Sequence, residues 1–241
     1  MRIFILIILS SILLSSCSQV DKCENRFDFI STNDSIPILD LDYSEAPEST
    51  LERMNSLYGT DLCDKCGWVE FKSPFEIESK MGYVKLIADF DYPYCSNCPI
   101  AMRLRYYFQI LINANNQILA EGELVTVESL KTEIKSYLSK VGIDDDFPEN
   151  YERVKYSIQW DRNSESKFID SVFTSIFTSH TDFVRNKTLE NGVDFCSLEK
   201  PELTKLKTDY PLRIQISSGM SIEMPSSEEM EVILNEIEIE V

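Results

Sequence analysis

The residues best suited to chemistry in this sequence are its seven cysteines, and they fall into three settings. Cys17 closes an apolar N-terminal run. Cys63 with Cys66 and Cys95 with Cys98 form two CxxC pairs, while Cys23 and Cys196 stand apart. Two thiolates separated by two residues can hold one side of a tetrahedral Zn²⁺, and two such pairs complete a four-sulfur site. The same spacing serves thiol–disulfide exchange when one sulfur is kept as a thiolate. In an oxidising compartment, the even number of cysteines after Cys17 reads instead as a disulfide framework, for which six residues allow fifteen connectivities.

The first residues, MRIFILIILSSILLSSC, decide the compartment. Arg2 gives a positive start, and Ile3 to Leu14 form an apolar core broken only by Ser10 and Ser11. That core is shorter than the ~20 residues a spanning helix needs, and it fits a secretion signal over residues 1–16. Leu14, Ser15, Ser16 and Cys17 resemble the lipobox of bacterial lipoproteins: a branched apolar residue, two small residues and a cysteine. The resemblance implies that Cys17 becomes the lipidated first residue of the mature chain. Each buried methylene contributes ~0.8 kcal/mol, so two or three acyl chains of the palmitate type make a permanent membrane anchor. Ser18 rather than Asp follows the cysteine. By analogy with the proteobacterial sorting rule, this favours the outer membrane over the inner one.

Removing residues 1–16 takes away one basic residue and leaves 22 basic against 41 acidic side chains, a net charge of −19. Such a surface repels nucleic acid, which is therefore not an expected partner. With 43% hydrophobic and 11% aromatic residues, the chain is able to bury a core.

Among the readings of Cys63, Cys66, Cys95 and Cys98, disulfides stapling the 51–104 region lead. A bridge between the two CxxC turns closes a loop worth ~3–4 kcal/mol in the chain-entropy model. Cys23 with Cys196 would fasten the N-terminal segment to the body. CDKCGW resembles a zinc knuckle, but the 28 residues between Cys66 and Cys95 make a long ribbon. VKLIADFDYPYCSNCP resembles the approach to a thioredoxin CxxC. Only nine residues separate Cys98 from the next aromatic strand at Phe108, too few for the rest of that fold. Zinc or a redox function on these four cysteines is the alternative to a disulfide framework, and no other cofactor is expected.

These residues need a frame. Residues 17–50 are acidic and rich in Ser and Pro, and they read as a lipid-anchored tether in which Ile36-Pro37-Ile38-Leu39 offers a docking patch. Residues 51–104 form a cysteine-rich β region with strands at Trp68–Phe71 and Tyr83–Phe90. From residue 105 the pattern is stronger. Arg105–Asn113 is a strand, Asn115-Asn116 a tight turn, and Gln117–Val125 the returning strand of a hairpin. Thr126 caps a helix with Leu130, Ile134 and Leu138 on one face. Val154–Trp160 is a further strand. A helix starting at Ser164 or Ser166 carries Phe168, Ile169, Val172, Phe173, Ile176 and Phe177 as its stripe. Asn191-Gly192 turns, and Leu212–Ile216 ends the unit. In the acidic tail 219–241, Met230, Ile233, Leu234 and Ile237 keep helical spacing, whereas Glu236–Val241 alternates as a strand does. The expected fold is α+β, a small sheet with two helices on one face.

The order hairpin, helix, strand, helix over residues 105–216 resembles the periplasmic domain of the ExbD/TolR family. The stretches that carry it are ILINANNQILAEGELVTVESLKTEIKSYL, FPENYERVKYSIQWDR, KFIDSVFTSIFTSHTDFVRN and YPLRIQIS. The family anchors itself by one transmembrane helix with an intramembrane Asp that takes part in proton flow. This sequence has neither, so proton coupling does not carry over. What the resemblance implies is a binding role: self-association and contact with envelope proteins or peptidoglycan.

No hydrolase pattern is present. His180, the only histidine, reads as a solvated helix residue, and Asp144–Asp146 reads as a solvated loop without EF-hand spacing. The sequence therefore points to a non-enzymatic, lipid-anchored binding or scaffolding protein of the cell envelope.

Overall fold

The structure is a computed structural model that describes residues 23–45, 47–59, 69–77, 79–89 and 104–217. The signal, Cys17, the four CxxC cysteines and the tail 219–241 lie outside the described residues.

Val69–Ile77 (β1) and Lys80–Asp89 (β2) pair as an antiparallel hairpin. Pro74 sits within β1, which is tolerated because β1 is the edge strand of the sheet. Tyr107–Ile112 (β3) follows, with Ile118–Ala120 (β4) and Glu123–Val125 (β5) beside it. The single returning strand expected over Gln117–Val125 is thus two strands. Glu121 and Gly122 both have positive φ, 51° and 90°, and make the two-residue turn that joins a twisted hairpin. Lys155–Trp160 (β6) and Ile214–Ser217 (β7) complete one seven-stranded sheet in the order β1-β2-β7-β6-β3-β4-β5. Its centre, β2, β7, β6 and β3, is parallel, and both edges are antiparallel. The 69–89 hairpin therefore shares a sheet with the unit that follows it.

Five helices accompany the sheet: Glu24–Ile30 (α1), Pro47–Tyr58 (α2), Val127–Lys140 (α3), Ser166–Glu190 (α4) and Lys200–Asp209 (α5). The architecture is mixed α and β, with α3 and α4 packed on one sheet face. Phe108 of β3 meets Tyr137 of α3 at 5.2 Å and Tyr156 of β6 at 6.2 Å, and Tyr156 meets His180 of α4 at 5.7 Å. Leu130, Ile134 and Leu138 are fully buried, as are Ile169, Val172 and Ile176. Each such side chain contributes roughly 1.5–3 kcal/mol by leaving water.

Residues 23–45, read from composition as part of a free tether, are docked on the body. Phe29, Ile30 and Leu39 are buried, and the Thr32 N–H donates to the Tyr83 carbonyl at 2.7 Å. Residues 37–39 run along the outer edge of β1. Leu39 N–H donates to the Lys72 carbonyl at 3.0 Å, and Lys72 N–H donates to the Pro37 carbonyl at 2.9 Å. An uncovered edge strand presents unpaired backbone groups, and this short apolar patch satisfies them.

The turn after β3 also starts α4. Asn113 Oδ1 accepts from the N–H groups of Asn115 and Gln117, and Ser164 Oγ donates to the Asn113 carbonyl. Ser164 is thus bound to the turn, and the helix begins at Ser166. Asn116, at φ 59°, uses its Oδ1 to accept from Glu165 N–H at 2.9 Å, satisfying a donor at the helix entry. Asn116→Gly keeps the backbone conformation and loses only this bond, for a cost of about 1 kcal/mol. Asn116→Ala also forces a Cβ into the left-handed region and costs about 2 kcal/mol. Urea denaturation of both variants checks this, and equal losses would contradict it.

Candidate functional site

The N-terminal segment is clamped to the helical layer at one point by a covalent bond. Cys23, just before α1, and Cys196, in the short 3₁₀ turn Phe195–Ser197, form a disulfide with a Cα–Cα distance of 5.0 Å across 173 residues of chain. Polar contacts surround it. Asn25 Nδ2 donates to the carbonyls of Phe195 and Leu198, both at 2.9 Å, and Arg26 pairs with Asp182 of α4 at 2.9 Å. Lys207 of α5 donates to the Ser31 carbonyl at 2.7 Å, and burial lowers the pKa of its ammonium. Helix α1 has seven residues, too few to hold itself in water, so these contacts define its position.

Phe29 of α1 carries the clamp into the core. Its ring stacks on His180 at 6.0 Å and meets Phe195 edge-on at 5.8 Å. His180 is 2% exposed, which corrects its reading as a solvated residue. It lies four residues beyond Ile176 on the stripe of α4, a spacing that was available in the sequence. Its Nε2 lies 3.1 Å from the Tyr210 carbonyl, which only accepts, so Nε2 carries the proton. Nδ1 then accepts from the Tyr156 hydroxyl at 2.9 Å. One neutral tautomer satisfies all three groups, and burial lowers the histidine pKa to about 4.

The same arrangement seats the β1–β2 hairpin. Phe27 of α1 stacks on Phe75 of β1 at 5.6 Å, and Phe75 meets Phe177 of α4 edge-on at 5.3 Å. Gly82 makes room for this: a Cβ there would lie 2.6 Å from Phe27 Cζ. Between the hairpin and α4 is a cavity of about 600 Å³. Phe75, Phe173 and Phe177 form its floor, and Ser73 projects to the same side of β1. Ser73 is 5% exposed, and its hydroxyl has no hydrogen-bond partner among the described residues. Asp40, Glu76 and Asp170 stand at the exposed rim, and no basic side chain among the described residues lines the cavity, although Arg53 beside it donates to the Asp40 backbone carbonyl at 2.7 Å. None of these three carboxylates forms an ion pair with a described residue.

Tyr43 closes one side of the mouth. The Trp160 indole N–H donates to its carbonyl at 2.9 Å, and the two rings meet at right angles, 5.4 Å apart. Its hydroxyl donates to Asp170 at 2.9 Å. Burial, with the Asp170 charge beside it, raises the phenol pKa far above its ordinary value, so Tyr43 stays a donor. A second cavity, about 510 Å³ between α1 and α5, carries charges of both signs that answer one another, such as Lys85 with Asp34 at 3.9 Å. The first is the cavity with unanswered charge.

Of the cysteines singled out in the sequence, the structure brings together Cys23 and Cys196; Cys17, Cys63, Cys66, Cys95 and Cys98 lie outside the described residues. Among the described residues, no group of three or more His, Cys, Asp or Glu is placed to hold a metal ion. Also among them, no helix is long and apolar enough to cross a membrane. The cavity escaped sequence reasoning because residues 40–43, 73–81 and 170–177 meet only in the fold. In comparisons with known proteins, no family model, no curated protein and no solved structure matches this chain.

The buried histidine makes stability depend on pH. Its pKa is about 4 in the folded chain and ~6.5 unfolded, so its contribution is complete above pH 6.5. It is lost as pH falls toward 4, by on the order of 3 kcal/mol in all. Between pH 7 and pH 5 the native protein should lose about 2 kcal/mol more than His180→Gln, which cannot titrate there. Urea denaturation at the two pH values checks this; parallel losses would show that His180 is accessible to protons.

Proposed function

We propose that this chain is a lipid-anchored binding protein of the bacterial cell envelope, held by acyl chains on Cys17, and that its body recognises a cationic group through the acidic cavity. The lipobox residues Leu14–Cys17 support the anchor, and the hydrogen-bonded body supports a binding role. The element order over 107–217, three antiparallel strands, helix, strand, long helix, a further helix (α5) and final strand, contains the hairpin-helix-strand-helix succession on which the resemblance to the ExbD/TolR periplasmic domain rests. On that reading the lipid replaces the family's transmembrane helix, and no proton is moved.

The observation that carries the binding role is the cavity itself. It combines an aromatic floor with Asp40, Glu76 and Asp170 at the rim, unopposed by any basic side chain in the lining. A lysine or arginine side chain of an envelope protein fits this chemistry, and so does an amine of a peptidoglycan stem. The apolar stem would lie on the phenylalanines and the charge at the rim, where carboxylates and ring faces both attract it. Exposed ion pairs contribute roughly 0.2–1 kcal/mol each, so three of them amount to about tenfold in affinity.

A photo-crosslinking residue placed at Met81, 66% exposed at the rim, tests this in the native envelope. The expected result is one recurrent envelope protein or peptidoglycan adduct, reduced about tenfold by combined Asp40→Asn, Glu76→Gln and Asp170→Asn substitution. Recovery of neither, or an adduct indifferent to the three substitutions, would remove the proposal.

A further inference from the structure

The clamp limits how the body can sit on its membrane. Six residues of chain advance separate Cys17 from Cys23, which reach at most ~21 Å when fully extended, whatever their conformation. Cys23 is bonded to Cys196, and Asn25 is bonded to the backbone on both sides of that cysteine. An anchor at Cys17 therefore holds the end of the molecule that carries Cys196 near the bilayer.

That end has the surface such a neighbour requires. Leu189 is 65% exposed at the last turn of α4, and Val193 is 41% exposed four residues on. The turn that displays them is fixed by its own backbone: Gly192 N–H donates to the Leu189 carbonyl at 2.9 Å, and Val193 N–H donates to the Thr188 carbonyl at 3.0 Å. Gly192 takes a positive φ of 75°, which allows this reversal. Charge agrees. Residues 185–200 hold Arg185, Lys187 and Lys200 against Glu190, Asp194 and Glu199, a net charge of zero in a chain of net charge −18. The chain as a whole is repelled by anionic headgroups, and this neutral tip adds nothing to that repulsion.

We propose that the Leu189–Val193 turn rests on the lipid surface that holds the Cys17 acyl chains. The proposal depends on the lipid anchor at Cys17. Helix α4 then sets the rest of the geometry. Its 25 residues span ~37 Å, so its first turn and the Asn113–Gln117 turn bound to it form the far end of the body. Asp170 lies nineteen residues before Leu189 on this helix, ~29 Å away along its axis. Asp170, at the rim of the acidic cavity, thus stands well back along α4 from the turn that rests on lipid.

Full-length protein purified from the envelope and incorporated into phosphatidylethanolamine–phosphatidylcholine vesicles provides the test. Amide hydrogen exchange over residues 187–194 should slow at least threefold on vesicles, while residues 113–117 stay unchanged. Leu189→Asp with Val193→Asp should abolish the slowing and leave the protein floating with the vesicles. Flotation without slowing at the turn overturns the orientation alone. Slowing that rises with protein concentration in the absence of vesicles overturns it in favour of a second copy of the chain. Absence of a diacylglyceryl mass on Cys17 overturns both the orientation and the anchor on which it rests.

Discussion

The Cys23–Cys196 bond closes 173 residues of chain separation, and the arrangement of the whole N-terminal side follows from it. In the chain-entropy model, a loop of that size removes about 5 kcal/mol of freedom from the unfolded chain. Domains of this kind are stable by ~5–15 kcal/mol in total, so one covalent contact is comparable to a large part of that net stability. It acts where the polypeptide alone is weakest. Helix α1 is two turns long, and its burial rests mainly on Phe29 and Ile30. Without a fixed end, those side chains would be asked to hold a strand edge, a hairpin and a cavity wall together.

From that fixed end, order passes inward through aromatic contacts. Phe29 reaches His180, and His180 reaches Tyr156 on the central strand β6. Phe27 reaches Phe75, Phe75 reaches Phe177, and Phe177 reaches Phe173 and thence Tyr43. Tyr156, His180 and Tyr43, the ring-bearing polar groups along these paths, each find a partner. Tyr156 donates to a neutral imidazole, and Tyr43 donates to a carboxylate at the rim. The lock and the cavity therefore share the same side chains: α1 is held against α4, and α4 supplies the cavity floor.

Much of the second half was legible in the sequence because its signals are local. Thr126 caps α3 through Ser129 N–H at 3.1 Å, and Leu130, Ile134 and Leu138 lie on the face the 3.6-residue period assigns them. Asn116 adopts the positive φ that the Asn-Asn turn demands. Part of what escaped depends on distance in sequence. Nothing in ENRFDFI alone shows that it packs on residues 180 and 195, so α1 read as tether. Helix α5 was passed over although Glu199 and Glu202 form a reciprocal capping box with Pro201 in the first turn. The Glu121-Gly122 turn was absorbed into one long strand because strand residues flank it on both sides. His180 was misread because a lone histidine among Ser and Thr looks solvated, whereas the helical period already assigned it to the buried stripe.

The picture is of a body whose N-terminal segment is fixed by a disulfide and, on the proposed reading, by a lipid six residues before it, with an acidic aromatic cavity whose Asp170 lies about 29 Å along α4 from Leu189. Its central claim is the pairing of Cys23 with Cys196. Peptide mapping of the unreduced native protein addresses that pairing directly. The account predicts a disulfide-linked pair consisting of the peptide that begins at Cys23 and the peptide that contains Cys196. Recovery of Cys23 joined to Cys63, Cys66, Cys95 or Cys98, or alkylated as a thiol, would contradict it.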